Sequence, residues 1–417
     1  MSHAPEHSIA GLDVGSSTIA LLLAERDEEE GGGLRYVAGA RVASVGVQNG
    51  VIVNVGEATA AIERAAAEVE DRIGGRLPPA CVAVGGRHLG GQNLRGHLEI
   101  TPLGREIVPD DVARAIVAAR EGLHVGENRE VLHEIPRAYM VDGQAGVHDP
   151  HGLAGYALDV EVHYATAAAT ALHNLLKCVR QAGIDPDLAV AAPLAVGEAV
   201  RVGQRAARNL AVVDIGADTA NLAIYVNGTV WMTDVLLTAG AAITHAISAQ
   251  LKIPTAVAEE LKLRHGQCDP RAIGEFDLVE MPESAGVEAL IPHAELARII
   301  QERAYGLADE LAERLEDARH AGVEPEELLL TGGGATLPGL DELLRTALEL
   351  PVYHAATAGI ADLPDAPGER DGAGWATAAG LAIWYARYAG TGRRGGGRKR
   401  QRALAGSWKR LLGVVMP

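Results

Sequence analysis

The chain has 417 residues, a formal net charge of −18 and 48% hydrophobic residues, but Phe, Trp and Tyr together make up only 3%. This length allows about two to four domains around a large core of Ala, Val, Leu and Ile. The shortage of aromatic side chains argues against nucleic-acid recognition by base stacking, so we expect no nucleic-acid partner.

The cysteines and the charge distribution indicate the cellular location of the chain. Cys81, Cys178 and Cys268 lie far apart without metal-binding spacing, which fits a reducing cytoplasm. We expect neither a signal peptide nor a membrane span, because no apolar run approaches the ~18 residues that a span requires. Residues 390–417 contain eight Lys or Arg and no acid, which leaves 29 basic against 55 acidic residues in the rest. This asymmetry indicates that the tail alone meets an anionic surface.

The first motif in the chain is an apolar strand that ends in a carboxylate. The strand ends at Asp13, a turn with Gly15, Ser16 and Ser17 follows, and an apolar strand returns. Small residues in a turn let backbone N–H groups approach an anion, and a carboxylate at a strand end can hold hydrated Mg²⁺. The pattern therefore favours a nucleotide.

Further elements follow in order. The sequence predicts a strand meander over 9–45, a helix over 56–73 and a buried strand over 81–84. Residues 86–162 form a different unit, with strands at 98–100, 131–139 and 158–166 and a helix that starts at Pro109. Another helix is predicted over 169–182.

The second motif, at 210–225, repeats the first. Its strand ends at Asp214, and the turn before the returning strand contains Gly216, Ala217, Asp218 and Thr219. Two such hairpins about 200 residues apart predict a duplicated core that grips one ligand between its halves.

The remaining elements complete that site. Gly240 begins a helix, and a long helix over 296–321 leads to a buried strand and the loop Gly332, Gly333 and Gly334. This loop suits a sugar or purine packed against backbone. A small-residue helix over 375–384 is typical of close packing against a sheet.

The C-terminal tail is predicted to contain a linker followed by a helix. Residues 390–402 are rich in Gly and Arg and predict a flexible basic linker. One face of the following helix is apolar, Lys409 and Arg410 lie off it, and such a helix suits the plane of an anionic membrane. The apolar face consists of Leu404, Trp408, Leu411, Leu412, Val415 and Met416. The alternative is a tail helix that packs on the body or on a partner.

With these motifs, the sequence resembles the actin-like ATPase superfamily and, within it, the FtsA family of bacterial cell-division proteins. The stretches QNGVIVN at 48–54, VAVGGRH at 82–88, VLHEIPRAY at 131–139, ELKLRHG at 260–266 and GSWKRLL at 406–412 carry the closer resemblance.

The resemblance implies an α/β fold: an actin-like (ribonuclease H-like, duplicated) ATPase fold with an inserted small α+β SHS2 subdomain. The implied subdomains are 1A at 1–85, 166–195 and 356–389, the inserted 1C at 86–165, 2A at 196–230 and 296–355, 2B at 231–295, a linker at 390–403 and a membrane-targeting helix at 404–417.

The resemblance also implies ligands and partners. ATP and Mg²⁺ would bind with Asp13 and Asp214 facing the metal through water, while Glu260, Lys262 and Arg264 join Gly240 and the Gly332–Gly334 loop around the nucleoside. The three charged residues also read as ordinary solvated helix charges. Subdomain 2B would carry the groove for the C-terminal peptide of FtsZ, and subdomain 1C would contact the next subunit of a head-to-tail filament and later division proteins. The protein would lie peripherally on the cytoplasmic face of the cell membrane at the division site.

Two departures from the family pattern affect the expected binding and hydrolysis of ATP. The second loop commonly reads Asp-Ile-Gly-Gly-Gly-Thr-x-Asp in the family, but here Ala217 and Asp218 replace two glycines and Asn221 replaces the closing Asp. Thr18 stands where FtsA proteins usually have Lys. A carboxylate about 4 Å from a phosphate would repel it by about 4 kcal/mol at an effective dielectric near 20. We therefore expect ATP binding with weak or absent hydrolysis and assign no catalytic residue; ordinary binding survives if Ala217 and Asp218 turn away in a bulge.

Two other functions compete. A soluble phosphotransferase of the same superfamily, such as a sugar kinase, would need a substrate cleft with a catalytic Asp and would have no use for the tail helix. A pilus-assembly protein with the same inserted subdomain would usually lack that helix.

Overall fold

The structure, a computed structural model, describes residues 2–3, 8–27, 33–201, 208–282, 289–365 and 372–388. The predicted linker at 390–403 and helix at 404–417 lie outside these residues. The elements before the inserted unit are β1 (Ser2–His3), β2 (Ser8–Val14), β3 (Thr18–Arg26), β4 (Leu34–Ala43), β5 (Val47–Gln48), β6 (Val51–Ile52), α1 (Val55–Ile73), β7 (Gly75–Arg76) and β8 (Ala80–Val84).

The inserted unit and the return to the first half follow. They comprise β9 (Gly90–Glu99), β10 (Arg105–Glu106), α2 (Pro109–Glu121), β11 (Arg129–Val141), β12 (Gln144–Val147), β13 (Ala154–Gly155), β14 (Ala157–Ala168), α3 (Ala169–Gln181), β15 (Pro186–Ala191) and α4 (Ala192–Val200).

The second half and the closing segment contain the remaining described elements. They comprise β16 (Leu210–Ile215), β17 (Ala220–Val226), β18 (Thr229–Leu236), α5 (Gly240–Leu251), α6 (Thr255–His265), β19 (Leu278–Glu280), β20 (Leu290–Pro292), α7 (His293–His320), β21 (Glu327–Thr331), α8 (Leu340–Leu348), β22 (Val352–His354), β23 (Ile360–Ala361) and α9 (Ala376–Tyr388).

The first half is built on the sheet β15-β8-β2-β3-β4-β23. Its central strands β2 and β3 are apolar and almost wholly buried, and small residues let helices approach them closely. A Cβ on Gly11 would lie 2.2 Å from the carbonyl oxygen of Ala378 in α9, and one on Gly380 would lie 1.7 Å from that of Ala195 in α4. The predicted small-residue helix thus packs against the sheet, as its composition indicates.

The second half repeats this plan in the sheet β18-β17-β16-β21-β22. In each half a central strand carrying the Asp pairs antiparallel with the strand after the turn, as β2 does with β3 and β16 with β17. The long helix α7 packs its buried Leu and Ile side chains in this half's core. The predicted duplication is therefore present in the strand order and register.

The inserted unit has a sheet and a core of its own. Its sheet runs β12-β11-β14-β9, and α2 packs so closely on β9 that a Cβ on Gly96 would lie 2.0 Å from the carbonyl oxygen of Ala115. The unit also contacts the second half, because the Asn93 amide of β9 donates to the Trp231 carbonyl of β18 at 2.8 Å. It therefore touches the edge of the second sheet as well as the half that it interrupts.

The outer part of the second half ends in a small ribbon, β19 paired with β20. Val279 is buried, whereas Leu278 and Leu290 are 55% and 57% exposed, and the preceding Phe276 is 86% exposed. These three side chains give the ribbon an apolar surface. No helix in the part of the chain that the structure describes is long and apolar enough to cross a bilayer.

Candidate functional site

Asp13, the next-to-last residue of β2, faces Asp214 of β16 across the boundary between the two halves, and we call the region around these two carboxylates the cleft. The Gly15 N–H donates to the Thr18 carbonyl at 3.1 Å, and a Cβ on Gly15 would lie 2.8 Å from that oxygen, so the turn requires glycine. Burial, and then the charge of Asp214, raise the pKa of Asp13 to about 7, while Arg41 acts in the opposite direction. The two predicted carboxylates are thus close enough to influence each other.

The turn after Asp214 has the same construction. The Gly216 N–H donates to the Thr219 carbonyl at 3.0 Å. Burial raises the pKa of Asp214, and hydrogen bonds to its Oδ2 from Asn221 Nδ2 at 3.2 Å and Thr377 Oγ1 at 3.3 Å oppose that rise. Side-chain donors thus hold this carboxylate in place.

The Gly332–Gly334 loop lies directly against the second carboxylate. Gly332 has a φ of 86°, and a Cβ there would lie 2.3 Å from Asp214 Oδ1. A Cβ on Gly334 would lie 2.5 Å from the Ile215 side chain, whereas Gly333 faces open space. Gly240 and Gly334 also line one recess, together with Ile215 and Thr238. The structure therefore brings together the glycines that were predicted around a nucleoside.

The first residues of α5 donate backbone hydrogen bonds to the second turn. The Gly240 N–H donates to the Gly216 carbonyl at 3.2 Å, and the Ala241 N–H donates to the Ala217 carbonyl at 2.7 Å. In a trans peptide the N–H points opposite to the C=O. The N–H groups of Ala217 and Asp218 consequently point away from α5.

The three predicted site residues on α6 have different surroundings. The Lys262 ammonium bonds the Gly240 carbonyl at 3.1 Å and Glu259 at 2.7 Å, so it lies beside the second turn. The Arg264 guanidinium instead pairs with Glu260 at 2.8 Å, one helical turn away, and the Arg264 side chain is 64% exposed. Lys262 stays a candidate in contact with the site, while Glu260 and Arg264 also form an ordinary surface pair.

The Asp218 carboxylate reaches across the cleft to the first half. Its Oδ2 accepts a hydrogen bond from the Asn49 N–H at 2.8 Å, and the next amide, of Gly50, donates to Ser16 Oγ at 3.2 Å. Asp218 therefore does not turn away from the first half in a bulge. The side chain lies between the two halves, bonded to backbone.

Sequence reasoning missed four of the residues around this site: Arg41, Asn49, Thr331 and Thr377. Strand register would have pointed to Arg41, because Asp13 pairs with Ala20 and Ala20 pairs with Arg41, which puts all three side chains on one face. Thr377 approaches from the last helix described, 163 residues from Asp214. No local sequence pattern predicts a contact between residues so far apart in the chain.

Two buried oxygen atoms at the cleft suit a hydrated cation. Asn221 Oδ1 and Thr331 Oγ1 have no hydrogen-bond partner among the described residues, and both side chains flank Asp214 in the sheet register. Buried polar atoms are normally bonded to protein or water. Two carboxylates with raised pKa values and unpartnered oxygens nearby fit Mg²⁺ held through water. Among the described residues, no three His, Cys, Asp or Glu side chains converge as a metal cluster.

Comparisons with known proteins agree with this architecture. Residues 86–166 match the family model described as the SHS2 domain inserted in FtsA, and residues 211–380 match the model for cell division protein FtsA. The chain belongs to the FtsA family. It is 31% identical over 362 residues to FtsA of Pseudomonas aeruginosa, covering 86% of this chain and 85% of that protein. It is 30% identical over 341 residues to FtsA of Bacillus subtilis, covering 81% and 76%.

Solved structures show the same fold beyond FtsA proteins. The PilM–PilN type IV pilus biogenesis complex matches with a TM-score of 0.65 at 19% identity, over 91% of this chain and 98% of that one. MreB5 of Spiroplasma citri bound to ADP matches with a TM-score of 0.50 at 13% identity, over 91% and 96%. The expected actin-like fold with an SHS2 insertion is thus confirmed for this FtsA-family chain, and its role in cell division follows from the family.

Proposed function

We propose that this chain is a membrane-tethered, actin-like scaffold that binds ATP with Mg²⁺, self-assembles and anchors FtsZ filaments to the cytoplasmic membrane. One observation carries the ATP proposal: Asp13 and Asp214 lie at equivalent strand ends and face one cleft, each followed by a glycine-dependent turn. MreB5, which shares the fold, was solved with ADP.

The residues present suggest how the nucleotide is held. Amides of the turns at 15–17 and 216–219, other than those of Gly15 and Gly216 that close the turns, would meet the phosphates. Gly240, Lys262 and the Gly332–Gly334 loop would meet the nucleoside. Asp13 and Asp214 would hold Mg²⁺ through water, and the ion would neutralise phosphate charge. Asn221 lies where the family has a carboxylate, and an amide does not accept a proton from water, so hydrolysis is expected to be weak or absent.

The partners are assigned to separate surfaces. The exposed apolar ribbon with Phe276, Leu278 and Leu290 supports docking of the FtsZ C-terminal peptide on the outer part of the second half. The inserted unit would contact the next subunit of a head-to-tail filament and later division proteins, and residues 404–417 would bind anionic lipid. The sequence similarity to FtsA proteins favours this function over a pilus-assembly protein or a soluble phosphotransferase.

Calorimetric titration of ATP with Mg²⁺ into the full chain tests the site. We expect saturable binding that Asp214→Asn weakens about 10-fold or more, a loss of about 1.4 kcal/mol. Asp234→Asn is the matched control, because Asp234 lies in the same half but pairs with Arg314 in α7. Equal ATP affinity in the natural chain and Asp214→Asn, or no binding at all, would contradict the proposed site.

A further inference from the structure

The turn between β5 and β6 packs closely on its neighbours and directs its two amides toward Asp218 and Ser16. Asn49 and Gly50 have φ values of 48° and 70°, the left-handed pair that a two-residue Asn-Gly hairpin requires. A Cβ on Gly50 would lie 2.5 Å from the Cα of Gly86, and the Arg87 N–H donates to the Asn49 carbonyl at 3.3 Å. The turn is therefore clamped against the start of the inserted unit.

Both amides of this turn are bonded to the candidate phosphate loops. The Asn49 N–H meets Asp218 of the second loop at 2.8 Å, and the Gly50 N–H meets Ser16 of the first at 3.2 Å. Successive N–H groups in a turn form a concavity that binds anions. The group bonded at Asn49 is already an anion, the carboxylate of Asp218.

The position of the turn indicates which phosphate would reach it. The proposed function puts the nucleoside at Gly240 and Gly334, and a Cβ on either glycine would lie 3.2 Å from the Gly216 carbonyl oxygen at the start of the second loop. Asp218 lies two residues further along and bonds the opposite half. A nucleotide that enters with its base at the glycines would therefore bring its outermost phosphate toward Asn49 and Gly50.

We propose that the Asn49–Gly50 turn is a third phosphate-binding element, and that the Asp218 carboxylate occupies it until the terminal phosphate of a nucleoside triphosphate displaces the carboxylate. The inference rests on the proposed ATP binding and adds a rule for selecting among nucleotides. A diphosphate leaves the Asp218 contact in place. A triphosphate must break it and then gains the Asn49 amide.

Removal of the carboxylate gives a direct test. In full-length nucleotide-free protein, hydrogen–deuterium exchange resolved to single amides should show the Asn49 amide exchanging about 10-fold faster in Asp218→Ala than in the natural chain. A non-hydrolysable ATP analogue should protect that amide again, whereas ADP should not. Calorimetry should show Asp218→Ala binding the triphosphate analogue about 10-fold more tightly, with ADP affinity changed less than about 3-fold.

One control separates the contact from general charge effects. Asp309→Ala removes one exposed acid on α7 of the same half and should change neither exchange at Asn49 nor the preference for triphosphate.

The outcomes distinguish this inference from the proposed function. Unchanged Asn49 exchange in Asp218→Ala, or equal gains in ADP and triphosphate affinity, would overturn the inference and leave ATP binding intact. Absence of nucleotide binding in both the natural chain and Asp218→Ala would overturn the ATP proposal, and this inference with it.

Discussion

Arg41 supplies a positive charge that the first phosphate loop lacks. Thr18 stands where the family usually has Lys, but Arg41 on β4 shares a cross-strand row with Ala20 and Asp13. Its charge acts to lower the pKa of Asp13, and its guanidinium lies 5.8 Å from the centre of the Trp375 ring. We expect this cation on the neighbouring strand to compensate for the loop residue.

Replacement of Arg41 tests this role. Arg41→Met keeps packing against Trp375 but removes the charge, and we expect affinity for ATP with Mg²⁺ to fall about 10-fold, while Arg41→Lys keeps most of it. Arg35→Met, on the same strand but paired with Asp27, should leave affinity unchanged. Calorimetric titration of the three variants makes the comparison, and full affinity in Arg41→Met would count against the role.

A buried polar seam joins the inserted unit to both halves. His163 of β14 bonds Asn93 at 2.8 Å and Thr233 of β18 at 3.0 Å, and His133 of β11 accepts the Ala191 N–H at 3.0 Å. Burial lowers the pKa of His133 from 6.5 to about 4; burial, and then Arg137 and His133, lower that of His163 to about 3. Both rings are neutral in the folded protein near neutral pH.

This seam makes stability depend on pH in a defined direction. Below pH 6.5 the unfolded chain binds protons that the folded chain does not, so stability is fully present above pH 6.5 and falls as pH decreases toward 4 and then 3. Each histidine contributes a slope of at most about 1.4 kcal/mol per pH unit.

The variant His163→Gln isolates one of the two contributions. Gln can bond Asn93 and Thr233 but does not titrate, so the melting temperature measured from pH 7.5 to pH 4.5 should fall less steeply than in the natural chain. His124→Gln, an exposed position in the same unit, should leave the slope unchanged. A slope in His163→Gln as steep as the natural one would show that the seam does not contribute.

At the scale of the whole molecule, α9, the last helix that the structure describes, is fastened to the first half. Tyr385 donates to Asp187 at 2.6 Å, and Arg387 bonds Glu198. These contacts hold the final turn of α9, which ends at Tyr388, so the following chain starts from a defined point on the first half. The proposed membrane helix would act through that attachment.

Vesicle sedimentation tests the tail. Deletion of residues 404–417, or Trp408→Glu, should abolish sedimentation with vesicles that contain phosphatidylglycerol, because the apolar face is lost or interrupted. Each basic residue near such a surface contributes about 1 kcal/mol, so binding to neutral vesicles should be weaker. Leu103→Glu, at a side chain 91% exposed in the inserted unit, is the control and should leave sedimentation unchanged. Sedimentation that survives the deletion would contradict membrane anchoring by the tail.

The sequence by itself determined the main helices and the two Asp-bearing turns. The helix predicted over 56–73 is observed as Val55–Ile73, and the one predicted over 296–321 as His293–His320. Gly15 and Gly216 were recognisable because a tight turn at a strand end depends on residues next to each other in the chain. The repeated Asp-bearing motif predicted the duplicated core, and the family resemblance identified the unit inserted in the first half as an SHS2 subdomain.

Only the tertiary structure decided which side chains meet in the cleft. Asp218 and Asn49 are 169 residues apart, and the contact between them depends on how one half packs against the other. Likewise, β-strand register places Arg41 beside Asp13, and α9 brings Thr377 to Asp214. Periodicity and turn chemistry describe short segments, whereas these contacts arise from packing between segments that are distant in the chain, and local pattern does not encode that packing.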